Sequence, residues 1–202
     1  NLPHQFIGPL SRFTMIKETM KVLKRDSHPE EFDVLAILSG PEPQRTIFEN
    51  CVLQELKKNN RKAVVLRGVP KSLPESNEDL KANGFHQNNN IKIFNHLSTQ
   101  EFYTYISKSK FVICRSGYSS IMDLSILEKK AILVPTPGQT EQEYLADYHL
   151  SLGTFYSQKQ SEFNLKIGQV EVYNYTPNRN IPSFDLKESL TESQLFFSKS
   201  FR

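Results

Sequence analysis

The chain has 202 residues, 38% of them hydrophobic, and a formal charge of +3, which is length enough for one packed domain with an appended tail. No apolar run approaches the roughly 20 residues a membrane helix needs, and the basic residues are dispersed, without the Arg/Lys cluster and interleaved aromatics of a nucleic-acid surface. Two cysteines, Cys51 and Cys114, supply neither a disulfide framework nor a CxxC metal site, and a reducing compartment such as the cytoplasm follows as the expectation.

Taken in order, the chain begins at Asn1 with no charged-then-apolar leader, so no secretion signal is expected. Gln5 to Phe13 reads as a short apolar strand turning at Gly8-Pro9, and Thr14 to Lys24 as a loose helix or loop stopped by Asp26-Ser27-His28-Pro29. Phe32 to Gly40 is an apolar run bounded by turn residues, the pattern of a central parallel strand. The loop Ser39-Gly40-Pro41-Glu42-Pro43 leads into a helix near Thr46 to Lys58, whose apolar side chains Ile47, Phe48, Val52, Leu53 and Leu56 lie on one stripe.

Lys62 to Arg67 is the next strand, and the polar passage from Gly68 to Asn90 is expected to be a loop with at most one short helix. Ile91 to Phe94 is a short strand, followed by a helix capped by Ser98 and carrying Phe102, Tyr105 and Ile106. From Phe32 onward, Phe111 to Cys114 and Ala131 to Pro135 complete five strands alternating with helices, the last helix running from Thr140 to about Leu150. Parallel neighbours need helical crossovers, so the pattern predicts an α/β fold with a doubly wound parallel sheet. Its domain spans 1–152, and 153–202 reads as a partly helical C-terminal tail, with helices near Ser161 to Val172 and Leu186 to Phe197.

The stretch Phe111 to Leu124 organises the rest. An apolar strand breaks at Arg115-Ser116-Gly117 and restarts as a helix at Ser119-Ser120, so Gly117 is expected in a backbone conformation closed to other residues. The free N–H groups and dipole of the helix start offer an anion a place beside the two hydroxyls. Ligands of doubly wound sheets bind beyond the carboxyl ends of the strands, where these turns lie. Ser120 to Asp123 also fits a capping box, which leaves Asp123 open between ligand and cap.

Together with Lys130 to Ala146, Arg115 to Asp123 resembles the nucleotide-sugar half of GT-B glycosyltransferases of the family 28 type, and the resemblance covers about Phe6 to Leu150. It implies a Rossmann-like half of a GT-B fold that binds a nucleotide-sugar, with a UDP-sugar as the expected donor and substrate rather than cofactor. In relatives an acid at the place of Asp123 holds the ribose hydroxyls; they carry Glu, and the shorter Asp123 leaves the base open. Gln142 and Glu143 match the pair that bonds the donor sugar, the rival reading being an acidic first turn that complements the dipole. Phe94 and Asn95 stand where relatives place an aromatic against the base, though a core Phe is the commoner case. Arg12 keeps the spacing of an Arg that approaches the diphosphate, and Gly40 lies in the counterpart of a Gly-rich loop, here altered to Gly-Pro-Glu-Pro.

The resemblance implies an inverting transfer without a metal, since no Asp-x-Asp occurs in the chain, with the diphosphate held by Gly117, Ser119 and Ser120. It places the general base and the acceptor site, for a glycan or a lipid-linked glycan, in an N-terminal domain that this chain lacks. Any peripheral membrane contact is expected through that half. The alternatives are a nucleotide-sugar epimerase or hydrolase of the same fold, or a donor-binding subunit that is not catalytic without a partner chain.

Overall fold

In the computed structural model, residues 11–14, 16, 31–69, 85–88 and 90–177 are described. The expected strand up to residue 10, most of the helix to Lys24, the polar passage at 70–84 and the helix from Leu186 to Phe197 lie outside those residues. Seven strands make one sheet: β1 (Phe32–Ile37), β2 (Ala63–Leu66), β3 (Phe85–Asn88), β4 (Ile91–Phe94), β5 (Ser109–Cys114), β6 (Ala131–Leu133) and β7 (Tyr156–Ser157). Their order is β3-β4-β2-β1-β5-β6-β7. Every neighbouring pair is parallel except β3 with β4.

With the antiparallel edge strand set aside, this is the Rossmann strand order, and its direction of winding reverses between β1 and β5. The helices between strands are α1 (Gln44–Lys58), α2 (Thr99–Ser107), α3 (Tyr118–Ile126) and α4 (Thr140–Ser151), and α5 (Leu165–Glu171) follows the last strand. Ser98 caps α2 as expected, accepting from Glu101 N at 3.3 Å while the Glu101 carboxylate takes Ser98 N at 2.9 Å. Among the described residues no helix is long and apolar enough to cross a membrane.

The near-continuous apolar runs of the strands follow from burial on both faces. Alternate residues of β2 and β5 part between two cores. Ala63, Val65, Phe111 and Ile113 join Phe48, Val52 and Leu56 of α1. Val64, Leu66, Val112 and Cys114 join Phe102 and Ile106 of α2 and Ile121 and Leu124 of α3.

Two strands go beyond the five expected. β3 carries the mixed sequence Phe-His-Gln-Asn, which has no apolar alternation, and β7 is two residues long. The second corrects the proposed boundary at 152. β7 extends the sheet alongside β6, and Leu165 and Val172 belong to the α1-side core, so residues up to 177 are part of the domain rather than a tail apart from it. The helix expected from Ser161 is α5 alone, preceded by a 3-10 turn at Gln160–Glu162. Glu55 of α1 accepts from Leu165 N at 2.9 Å and Lys130 Nζ donates to Tyr175 O at 2.6 Å, which pin this segment at both ends.

Burial pushes the Glu55 carboxyl up, but the bonds from Leu165 N, Lys58 and Asn59 outweigh it and hold its pKa below the ordinary 4.5. A depressed carboxylate stabilises the fold above its unfolded value and loses that contribution as pH falls through the folded one. The Glu55→Gln variant should therefore be less stable than the parent at pH 7, and the difference should shrink below pH 4.5, as read from urea midpoints across the range. At Gly68, φ is +67° and an added Cβ would lie 2.7 Å from Leu38 O. Gly68→Ala should cost about 2 kcal/mol or more, measured by urea unfolding.

Candidate functional site

Three helices start at the carboxyl edge of the sheet around the switch point: α1 after β1, α3 after β5 and α4 after β6. Each leaves its first N–H groups without intrahelical partners and turns a positive dipole end outward. At α1 the chain supplies its own anion. Glu42 accepts from Thr46 N at 3.2 Å and pairs with Arg45, which also reaches Glu49 at 3.0 Å. At α4, Glu141 and Glu143 occupy the first turn, and Glu143 accepts from Gly138 N at 2.9 Å.

The start of α3 differs from both. Its N-cap is Gly117, with no side-chain cap and no acid in the first turn. The helix begins at Tyr118, one residue before the expected Ser119, and Ser119 is exposed while Ser120 is half-buried. Gly117 has φ −74° and ψ 147°, an extended conformation open to any residue, so the expected left-handed turn is not what glycine provides here. A Cβ added at Gly117 would meet nothing within 4 Å. What the glycine leaves is open space over uncapped N–H groups.

Arg115 lies inward. It is 1% exposed, and its Nη1 donates to Val134 O at 3.2 Å and Pro135 O at 3.1 Å. Nη2 donates to Gln44 O at 3.1 Å and Gln160 Oε1 at 2.7 Å. The guanidinium sits 4.0 Å over the Phe48 ring, and burial brings its pKa down to about 10, which keeps it charged at neutral pH. Arg115, which the resemblance places in the donor-binding turn, turns its side chain inward and braces the loops that form the edge. Ser116 is likewise buried, its hydroxyl donating to Gln142 O at 2.7 Å, so the turn after β5 is bolted to the first turn of α4.

Asp123 is the sixth residue of α3, too far along for a capping box. Its carboxylate accepts from Ser11 Oγ at 2.6 Å and lies 3.4 Å from Arg12 Nε. Burial raises its pKa, with the Ser11 bond and the Arg12 charge pulling the other way. Arg12 stacks 4.8 Å above both Phe13 and Phe102, so the residues 11–13 reach Asp123 from a position anchored in the core. Gln142 Oε1 accepts from Thr136 N at 2.9 Å, closing the loop after β6.

Phe94, at the carboxyl end of β4, packs on Tyr105 with centroids 5.1 Å apart. The side chain of Asn95 accepts from Arg67 at 3.4 Å. Gly40 is exposed with φ +114°. The structure thus brings Arg115, Ser116 and Gln142 into one bonded group and Arg12 and Asp123 into another, with Gly40, Phe94 and Asn95 spread along the same edge.

Residues absent from the sequence reading turn out to hold this edge. Gln44 and Gln160 meet Arg115 across 71 and 45 positions, and Ser11 meets Asp123 across 112. Glu49, buried between Arg45 and Arg67, secures the ends of β2 and α1. Apart from Arg45 and Glu49, which stand four apart on one helix, none of these pairs leaves a local pattern.

Residues 34–180 match the glycosyltransferase family 28 C-terminal domain. The chain belongs to that family. Among solved structures, the glycosyltransferase SnogD of Streptomyces nogalater superposes with TM-score 0.55 at 8% identity, over 96% of this chain and 48% of its own. MurG of Acinetobacter baumannii gives 0.49 at 15% identity, over 84% and 47%. ALG13 gives 0.46 at 16%, over 79% and 93%. The family 28 chain described here spans about half the length of MurG and of SnogD, and its fold is the Rossmann-like half of a GT-B glycosyltransferase. No curated protein matches it.

The brace makes a stability prediction. Arg115→Met keeps much of the volume but leaves the carbonyls of Gln44, Val134 and Pro135 without their donor. It should cost about 3 kcal/mol or more in urea unfolding, since buried acceptors lose their partners.

Proposed function

We propose that this chain is the donor-binding half of an inverting, metal-independent glycosyltransferase that takes a UDP-sugar. The observation that carries the reading is the uncapped start of α3 at the switch point, under the open space at Gly117. A diphosphate placed there meets the N–H groups of the first turn and the Ser119 and Ser120 hydroxyls, while α1 and α4 already hold carboxylates. The helix terminus alone offers at most about 2 kcal/mol, so several donors act together.

In the reaction, an acceptor hydroxyl attacks the anomeric carbon as the bond to the diphosphate breaks, and charge grows on the leaving oxygens beside these donors. Arg12 is within reach of the same edge and can neutralise part of that charge. The metal-independent form rests on the lack of any Asp-x-Asp in the chain. Asp123 suits ribose, because the Ser11 hydroxyl already makes the 2.6 Å bond that a sugar hydroxyl would make. The Gln142 amide and the Glu143 carboxylate suit the hydroxyls of the donor sugar. The general base comes from outside this chain, which then binds donor without turning it over. The free thiols Cys51 and Cys114 fit a reducing, cytoplasmic setting.

Gly117→Val tests the reading directly. Its backbone angles suit valine and no atom stands in the way, so the urea midpoint should hold while the heat of UDP binding in calorimetry falls by about tenfold in affinity or more. UDP and UDP-N-acetylglucosamine should bind ahead of GDP and TDP, and Asp123→Ala should weaken UDP binding by removing the acceptor for the ribose hydroxyls. Unchanged UDP affinity in Gly117→Val, or no heat with any nucleotide, would overturn the proposal.

A further inference from the structure

The side-chain amide of Gln142 is held at both ends by its own chain. Its Oε1 accepts from Thr136 N at 2.9 Å, and its Nε2 donates to Gln139 Oε1. A backbone N–H can only donate, so the first bond assigns the oxygen and nitrogen ends of the amide. One bond fixes a point, and two fix the amide plane. Among the described residues the second hydrogen on Nε2 has no acceptor, and Gln142 is half-buried rather than enclosed.

Gln139 makes this bond from a place where another task is usual. It is the N-cap of α4, with φ −93° and ψ 94°, and its side chain makes no cap bond, where Ser, Thr, Asp or Asn would take a first-turn N–H. Gln142 is the third residue of the helix, from which a Gln ordinarily reaches back to the N-cap N–H. That N–H is already given to Thr136 O at 3.1 Å. The two glutamines therefore bond each other instead of the helix end. Glu143 is oriented from the same loop, one carboxylate oxygen accepting from Gly138 N at 2.9 Å. Pro135 and Pro137 stiffen that loop, and Gly138 takes it through φ +80°. It leaves Gln142 an N–H to offer and Glu143 a carboxylate oxygen.

We propose that Gln139 is a positioning residue for the donor sugar: it fixes the amide plane of Gln142 so that one N–H meets a sugar oxygen beside the Glu143 carboxylate. The inference rests on the donor reading above and deepens it. Ser116 Oγ donates to Gln142 O at 2.7 Å, so the aligned N–H is also set at a fixed place relative to Gly117 and the start of α3. The sugar then needs one oxygen that accepts from nitrogen and a hydroxyl that donates to a carboxylate. Gln139 touches neither. It acts through the orientation of Gln142.

The test is calorimetry of the full chain with UDP, UDP-glucose and UDP-N-acetylglucosamine, in which the affinity for a nucleotide-sugar relative to UDP reports the sugar contacts. Gln139→Leu removes the acceptor for Gln142 Nε2 and leaves the backbone bonds of the loop in place, so the urea midpoint and UDP affinity should hold. At least one nucleotide-sugar should weaken about fivefold or more relative to UDP, the effect of one misdirected hydrogen bond. Gln139→Glu keeps an acceptor at the same reach and should restore most of that ratio. By NMR the Gln142 side-chain amide should exchange slowly with solvent in the parent and in Gln139→Glu, and faster in Gln139→Leu. A ratio indifferent to Gln139→Leu, an equal loss for UDP, the same drop in Gln139→Glu, or unchanged exchange at Gln142 would overturn the positioning role and leave the donor reading standing. No heat from any of the three ligands in the parent would instead remove the donor reading, and this inference with it.

Discussion

A single buried guanidinium sets the shape of the ligand-facing edge. Arg115 gathers the start of α1, the loop after β6 and the 3-10 turn before α5 through bonds to Gln44, Val134, Pro135 and Gln160. Every one of those acceptors is a neutral carbonyl. Burying a charge is expensive unless its donors are satisfied; here four bonds and the face of Phe48 offset part of that cost, while Nε stays buried without a partner. The charge itself is not cancelled by a carboxylate in that set, so a positive field remains beneath the edge. The brace and the field come from the same side chain.

Geometry at the three helix starts then sorts the edge into filled and open positions. An anion near the first turn of a helix is stabilised whether it belongs to the protein or to a ligand. Glu42 at α1 and the acids of α4 are the protein's own. Gly117 removes the one side chain that could have served α3, and its Cβ position opens on empty space. The altered loop at Gly40, with its prolines and Glu42, thus reads as a device that closes one helix start, leaving the other available.

Much of the fold was legible because it depends on local pattern. β1, β2 and β5 are buried on both faces and show as apolar runs, and Ser98 with Glu101 forms the capping box its spacing allows. β3 was hidden because an edge strand paired on one side needs no apolar alternation, and β7 because two residues carry no period. At the site, sequence located the strand-turn-helix unit but misjudged what its parts do. A charged residue in a polar turn reads as exposed, yet Arg115 is among the most buried side chains. Glycine reads as conformational licence, yet Gly117 sits in ordinary extended backbone. Ser11 and Gln160 were invisible because only the folded sheet edge brings them to Asp123 and Arg115.

The segment carrying Ser11 also bears on how a donor would enter. Phe13 is buried and stacked on Phe102 at 5.4 Å, so residues 11–13 are held by the α2 side of the core rather than by their polar contacts. Asp123 is consequently partnered without a ligand, and its raised pKa reflects burial that the Ser11 bond only partly offsets. A ribose hydroxyl arriving at Asp123 would exchange one O–H donor for another, at little cost in hydrogen bonding. The aromatic anchor would stay in place while the serine hydroxyl turned aside. Such an exchange would leave the backbone in place, and the new bonds a ligand could add lie at the open start of α3, where no side chain among the described residues caps the helix.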